Sequence, residues 1–328
     1  MRKTLLGMYH ELKESASSSD FPYLLGNTMY KKLLNRFNGF ASPWQQYVMK
    51  GDLADFKAHD RIILSEAPDL LKIEADAGYK DAKFSDARYQ IQADTWGRSF
   101  SVDRKTIIND DLGGVMRMPE MFGRAAVRTL VKAILNLLKG GYNAYDGATL
   151  FALRGGAAVN YNVNVALSNT AAGAAALSAA CQKMALSTEP ASGELLGIKA
   201  KYLLTGTTLA PVARQLINSQ QILAASSAGG GEYNDLKGLI PLEDPLIDTQ
   251  ISTSFWAVLA DPMDCPVIEV GFVNGVVNPE LLVLQAEMSK LAGGTDPYDF
   301  EFDALKYKVR WDFATQLAYY QGICRGSS

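Results

Sequence analysis

The chain has 328 residues, 48% hydrophobic and 20% charged, enough to bury a full core in one elaborate domain or two coupled ones. A formal net charge of −3 excludes a strongly basic nucleic-acid binder, and no run of about 18 apolar residues is present to cross a membrane. Cys181, Cys265 and Cys324 are odd in number, widely spaced and without a CxxC pair; this excludes a zinc knuckle or dithiol motif and predicts buried, reduced thiols of an intracellular protein.

The N-terminal "MRKTLLGMYHELKES" lacks an uninterrupted apolar core and a small-residue cleavage site, so it does not read as a secretory signal. Residues 1–50 hold seven Lys/Arg against three Asp/Glu, which leaves a net of −7 for the remainder. Their polar "SASSSD" linker is flanked by short amphipathic pieces such as "YKKLLNRF". Phe21, Tyr23, Tyr30, Phe37, Phe40 and Trp44 suit a segment that packs on something else, so an extended arm is predicted. Its basic balance fits either a neighbouring polyanion or solvated lysines.

Residues 51–110 contain 21 charged residues in close alternation of sign, among them Lys72, Glu74, Asp76, Lys80, Asp81, Lys83, Asp86 and Arg88. Tyr89, Ile91 and Ala93 alternate with polar neighbours, and so do Phe100 and Val102. With Gly78 near its middle, the segment predicts a long two-stranded hairpin or loop that must lean on a partner, because isolated hairpins are marginal in water. The alternating charge serves equally as a solvated face or as contacts to another subunit.

"DTWGRSFSVDRKTIINDDLGG", residues 94–114, is the one stretch dense enough in Asp, Asn, Arg and Lys to suggest chemistry. Asn109, Asp110 and Asp111 offer oxygen ligands to a hard cation, but no further ligands converge at a recognisable spacing. The simpler reading ends the strand at Asp103, Arg104 and Lys105 and turns through Asn109 to Gly114. The next segment, 118–141, predicts a helix. Pro119 and Glu120 suit its first turn, Lys139, Gly140 and Gly141 its end, and Arg117, Glu120, Arg124, Arg128, Lys132, Asn136 and Lys139 recur every three or four residues on its polar side. Phe122, Ala125, Leu130, Ile134 and Leu138 are left for the core.

Residues 141–260 carry only 14 charged residues and are rich in Ala, Gly, Ser and Thr. Helices are predicted in "NTAAGAAALSAACQKMALS" and "TLAPVARQLINSQQIL", strands in "GIKAKYLLTG", "SFWAVLA" and "VIEVGFV", and a flexible loop in "AASSAGGGEYND". The end, "FEFDALKYKVRWDFATQLAYYQGICRG", alternates as an antiparallel pair does.

His10 and His59 are the only histidines, which leaves no Ser-His-Asp or Cys-His set for the globular body, and neither GxxxxGK[ST] nor GxGxxG occurs. No catalytic, cofactor-binding or metal residue is assigned.

The motifs have a counterpart. "TWGRSFSVDRKTIINDDLGG", the basic-striped helix, "NAYDGATLF", "LLTGTTLAPVARQL", "WAVLADPMDCPVIEVGFVNG" and "YKVRWDFATQLAYYQGI" resemble, in order, the major head subunit family of Mu-like tailed phages over residues 90–325. "LFALRGGAAVN" departs from that family, whose members commonly place a histidine before the asparagine; only local loop shape depends on it. The resemblance implies an α+β chain with the Hong Kong 97-type capsid fold of tailed phages and herpesviruses. Residues 1–54 are then the N-terminal arm, 55–100 an extended hairpin reaching over neighbouring subunits, 101–159 a peripheral domain with spine helix 117–140, 160–295 an axial domain, and 296–328 strands returning to the peripheral domain. It implies a structural subunit that forms pentamers and hexamers of an icosahedral head around double-stranded DNA. Lys72, Glu74, Lys80, Asp81, Lys83, Asp86 and Arg88 are the candidate inter-subunit contacts. Portal, scaffold or protease and decoration proteins are the further partners implied, with DNA touched non-specifically, no membrane, and assembly in the host bacterial cytoplasm. The competing readings are a metal-dependent hydrolase using Asp110 and Asp111, and a phage structural module that builds no shell.

Overall fold

The computed structural model describes residues 21–40, 42–67, 69–73, 81, 84–109, 112–115, 117–154, 160–163, 166–219, 221–222, 232–234, 236–284, 288–289, 295–296 and 303–327. Its strands are β1 Met49–Leu53, β2 His59–Leu64, β3 Asp86–Ile91, β4 Asp94–Asp103, β5 Tyr161–Val163, β6 Ala200–Thr205, β7 Gln221–Ile222 and β8 Glu232–Tyr233. There follow β9 Ile240–Glu243, β10 Trp256–Ala260, β11 Ile268–Val273, β12 Glu280–Val283, β13 Met288–Ser289, β14 Thr295–Asp296, β15 Ala304–Leu317 and β16 Ile323–Ser327. The chain divides into two compact units: Met1–Ala41 with Asp94–Thr129 and Val276–Phe313, and Ser42–Ala93 with Leu130–Gly275 and Ala314–Ser328.

In the first unit, β4 and β12 flank the first ten residues of β15, both antiparallel to it. Period-2 alternation puts Phe100 and Val102 of β4 on the same side as Leu305 and Tyr307 of β15, where Met29, Val115 and Met118 complete the core. Phe100 stacks between Phe122 and Tyr307 at 5.1 and 5.3 Å, and Phe37 meets Trp311 edge-on at 5.2 Å.

The arm is not extended where it is described. Phe21–Asn38 is a helix, because Met29, Leu33 and Phe37 recur every fourth residue and all three are buried on one face. Lys31, Lys32 and Arg36 break that row in the linear sequence, which hides the single amphipathic face. A Cβ on Gly123 would lie 2.5 Å from the Leu33 carbonyl oxygen, so glycine is what lets the arm helix lie against the long helix. Lys32 Nζ pairs with Glu120 Oε1 at 3.2 Å in the same place.

The long helix runs from Arg117 to Leu138, a rod of roughly 33 Å, and ends before Gly140 at φ +99°. Val127, Leu130, Val131, Ile134, Leu135 and Leu138 are buried, while Arg117, Arg124, Arg128, Lys132, Asn136 and Lys139 are exposed as their spacing predicts. Phe122 and Ala125, expected inside, are half-buried. Ahead of it the expected turn is replaced by two short helices, Arg104–Ile108 and Leu112–Val115, the second containing Gly113 and Gly114. Arg104 N–H donates to the Asp303 carbonyl at 3.0 Å, and this long-range bond starts the first of them.

The second unit is built on a five-stranded sheet in the order β5-β16-β10-β6-β9. Helices Ala171–Ala185 and Ala210–Asn218 pack on it through Leu177, Ala180, Met184, Ala213 and Leu216, against Leu203, Trp256 and Val258. Thr170 caps the first helix and Pro211 sits in the first turn of the second, as residues of those types should. Every residue of β10 and β11 is buried, which is why these strands show no alternation in sequence.

The terminal strands are not a pair. β16 lies antiparallel to β10 and parallel to β5, whereas β15 pairs with β4 and β12. The alternation read in the sequence falls, among the described residues, on Tyr307, Val309, Trp311 and Phe313 of β15. Phe300 and Phe302 lie outside the described residues, as does most of "AASSAGGGEYND".

Cys265 and Cys324 are buried and Cys181 is half-buried, and none of the three is in a disulfide. Burial pushes the Cys265 thiol up to about 12 and that of Cys324 to about 11. At pH 8 the thiolate fraction is then hundreds- to thousands-fold below that of a free cysteine, whose ordinary pKa is about 8.5. In a dithionitrobenzoate assay at that pH, two of the three thiols are expected to stay silent until denaturant is added. Rapid labelling of all three in the native chain would contradict this core.

Candidate inter-subunit surface

The hairpin expected around Gly78 is present at its base. β2 and β3 pair antiparallel from His59↔Ile91 to Leu64↔Asp86, and Ser65 and Ser85 continue the ladder, with Ser85 N–H donating to Ser65 Oγ at 3.0 Å. The next strand, β4, begins at Asp94 and falls in the other compact unit.

Alternation gives the base two faces. Inward lie Arg61, Ile63, Ala87, Tyr89 and Ile91, with Ile63 and Tyr89 packing on Ala318. The acceptor beneath them is Glu269, 1% exposed near the start of the otherwise apolar strand β11. Tyr89 Oη donates to Glu269 Oε2 at 2.6 Å, and Arg61 Nε donates to Oε1 at 3.0 Å. Arg61 also donates to the Asp52 carbonyl at 3.0 Å. A Cβ on Gly51 would lie 2.1 Å from Glu269 Oε1, so the neighbouring strand β1 must carry glycine there for the carboxylate to fit. Burial, and next the hydrogen bond to Glu269, hold the Tyr89 phenol above its usual range, so it stays a neutral donor. This clamp ties the base of the hairpin to β11.

Outward lie Asp60, Ile62, Leu64, Asp86, Arg88 and Gln90, all exposed. Arg88 and Gln90 both reach the Asp60 carboxylate, at 3.1 and 2.8 Å, so Arg88 already has a partner within the hairpin. Lys72, Asp81 and Asp86 are exposed, and Glu74, Lys80 and Lys83 fall outside the described residues. The sequence reading missed the apolar side chains beside them. Ile62 is 71% exposed, Leu64 70%, Leu70 100% and Phe84 61%. The signal was there: "RIIL" and "LL" are apolar runs inside a segment that makes no core of its own.

Two further motifs of the sequence support one another. Arg154 pairs with Asp146 of "NAYDGATLF" at 2.5 Å, and its guanidinium lies 3.6 Å from the ring centre of Tyr320 in "AYYQGI". Gln321 Nε2 donates to Tyr145 Oη at 2.7 Å, and buried Asn160 donates to the Leu150 and Tyr320 carbonyls. This is a loop lock, with nothing nucleophilic in it. Among the described residues no group of three His, Cys, Asp or Glu is placed to hold a metal ion, and no helix is long and apolar enough to cross a membrane. Asp110 and Asp111 lie outside the described residues.

Comparison with known proteins agrees with this structural character. A family model described as phage capsid protein matches residues 88–326. Among solved structures, one titled Mycobacterium phage Adephagia superposes with a TM-score of 0.52 at 14% identity, covering 90% of this chain and 89% of that one. The capsid of Cyanophage P-SCSP1u gives 0.53 at 10% identity and 88% of each chain, and the procapsid of bacteriophage JBD30 gives 0.50 at 15%, covering 95% of this chain and 76% of that one. A search of curated proteins finds no match. With the family model spanning most of the chain and these structures sharing its α+β architecture, the chain belongs to the phage capsid protein family and is a structural major capsid protein of the Hong Kong 97-type fold, not an enzyme.

Proposed function

We propose that the chain assembles with itself, as pentamers and hexamers, into the icosahedral head of a Mu-like tailed phage that encloses double-stranded DNA. The observation that carries this reading is the family match over residues 88–326. In it, residues 1–54 act as the arm, 55–100 as the hairpin laid over a neighbour, 101–159 and 296–328 as the peripheral domain, and 160–295 as the axial domain. Portal, scaffold or protease and decoration proteins complete the partners, and the head is built in the cytoplasm of the host bacterium. The exposed apolar row Ile62, Leu64, Leu70 and Phe84 supplies the burial that drives docking. The charges at Lys72, Glu74, Lys80, Asp81, Lys83, Asp86 and Arg88 set register, since exposed ion pairs contribute only about 0–1 kcal/mol each.

Negative-stain electron microscopy of the concentrated protein, with light scattering, tests the reading: shells, tubes or capsomer rings are expected, and a persistent monomer at all concentrations counts against it. Two variants then test the hairpin. Ile62→Ser with Leu64→Ser, and reversal of charge at Lys72, Lys80 and Lys83 together, are each expected to abolish shells while circular dichroism stays native. Normal particles from both would remove the hairpin from the assembly contacts.

A further inference from the structure

The long helix carries a row of charge that the fold itself does not use. Arg117, Arg124, Arg128, Lys132 and Lys139 are all exposed. At 100° per residue they fall within an arc of about 80°, and Arg124, Arg128 and Lys132 follow one another at about 6 Å along the axis. None of them has an ion pair with another described residue, and Glu120, the acid beside the row, is taken by Lys32. Like charges at i and i+4 destabilise a helix, so this row works against local stability. A solvated face ordinarily mixes signs, as the hairpin of this chain does. Here a chain of net charge −3 concentrates one sign along a line of roughly 33 Å.

We infer that this helix face is a contact for the phosphate backbone of double-stranded nucleic acid. A row of guanidinium and ammonium groups confined to one arc of the helix, tightest at Arg124, Arg128 and Lys132, matches a linear polyanion, whose charge is continuous along its length. Arginine dominates the row, and its planar fork suits phosphate oxygens. No exposed aromatic residue accompanies it on the helix to stack on bases, so recognition is of the backbone and independent of sequence. The inference rests on the proposed role as a DNA-enclosing shell, and it names the part of the subunit that meets the DNA.

The test uses the unassembled full chain and a fluorescent duplex of about 30 base pairs, followed by anisotropy as salt rises from about 20 mM. The variant Arg117→Gln, Arg124→Gln, Arg128→Gln, Lys132→Gln is compared with Lys57→Gln, Lys105→Gln, Lys199→Gln, Lys308→Gln, which removes the same charge from other exposed positions. The slope of log K against log salt is expected to fall by about 3 to 4 in the helix variant, at roughly 0.9 per phosphate contact, and to change by less than 1 in the control. Equal slopes in both variants, or no binding by the parent chain at the lowest salt, overturn the inference. Electron microscopy of the same variants separates the two levels. If the parent forms no shells the assembly reading fails while the binding result stands, and if the helix variant loses shells with its DNA slope intact the row is a subunit contact instead.

Discussion

Arg61→Ala is expected to remove about 3 kcal/mol of folding stability, measured by urea denaturation of the unassembled chain. The loss is large because Glu269 is left behind, 1% exposed, with the Tyr89 hydroxyl as its remaining side-chain donor. An uncompensated buried charge is costly whether or not the original pair was worth much. The Arg61 side chain is 33% exposed, so water softens the effect, and the lower end of the known range is the right expectation. Glu269→Gln keeps an acceptor oxygen for Arg61 and turns its NH2 toward the Tyr89 hydroxyl, which must then accept instead of donate, and is expected to cost about 1–2 kcal/mol. Replacing Arg61 and Glu269 together by leucine, with Tyr89→Phe to remove the donor that would otherwise be orphaned, is expected to fall close to neutral. A loss below about 1 kcal/mol for Arg61→Ala would show that no clamp exists at Glu269. The functional readout is separate: with its base released, the hairpin leaves the body at no fixed angle, and shells from Arg61→Ala are expected to be irregular or absent even where the chain stays folded.

Gly326→Val is expected to cost about 3 kcal/mol or more, at the top of the overpacking range, and to lower the melting temperature accordingly. Gly326 faces Trp256 across β16 and β10, and any Cβ at that position would lie 2.1 Å from the indole ring. Trp256 is fully buried and is the largest of the fully buried side chains, so it has no low-cost way to move. Adding Trp256→Leu to Gly326→Val should recover part of the loss, although Trp256→Leu alone is itself destabilising; two independent, additive losses would show that the contact does not exist.

How much of this was legible beforehand depends on which kind of information each feature uses. The long helix was readable because its signal is local: Pro119 and Glu120 at the start, the row Arg117 to Lys139 on one side, and glycine past the end. The strands β6, β10 and β11 were readable from apolar runs of the right length. The arm helix was missed because a four-residue period over Met29, Leu33 and Phe37 is short and interrupted by lysines. The hairpin surface was legible in its charges and misjudged in its weight: Ile62 and Leu64 were visible as residues, but only the pairing of β2 with β3 shows that they face outward while Ile63 faces in. Glu269 stood in plain view within "VIEVGFV". Its meaning required Tyr89 and Arg61, roughly 180 and 208 residues away in sequence.

By itself, then, the sequence determined the periodic elements, the absence of any catalytic constellation in the globular body, and an ordered set of motifs that placed the chain among phage capsid subunits. Those properties are set by neighbours three, four or two residues apart and by residue type, and such patterns survive without knowledge of the fold. The tertiary structure alone decided that β16 pairs with β10 and not β15, that Gly51 and Gly326 must be glycine, that "NAYDGATLF" and "AYYQGI" lock one another, and that Glu269 anchors the hairpin. Each of these is a contact between residues distant in sequence, and whether a polar group is satisfied or a void is filled depends on what the rest of the chain brings to it.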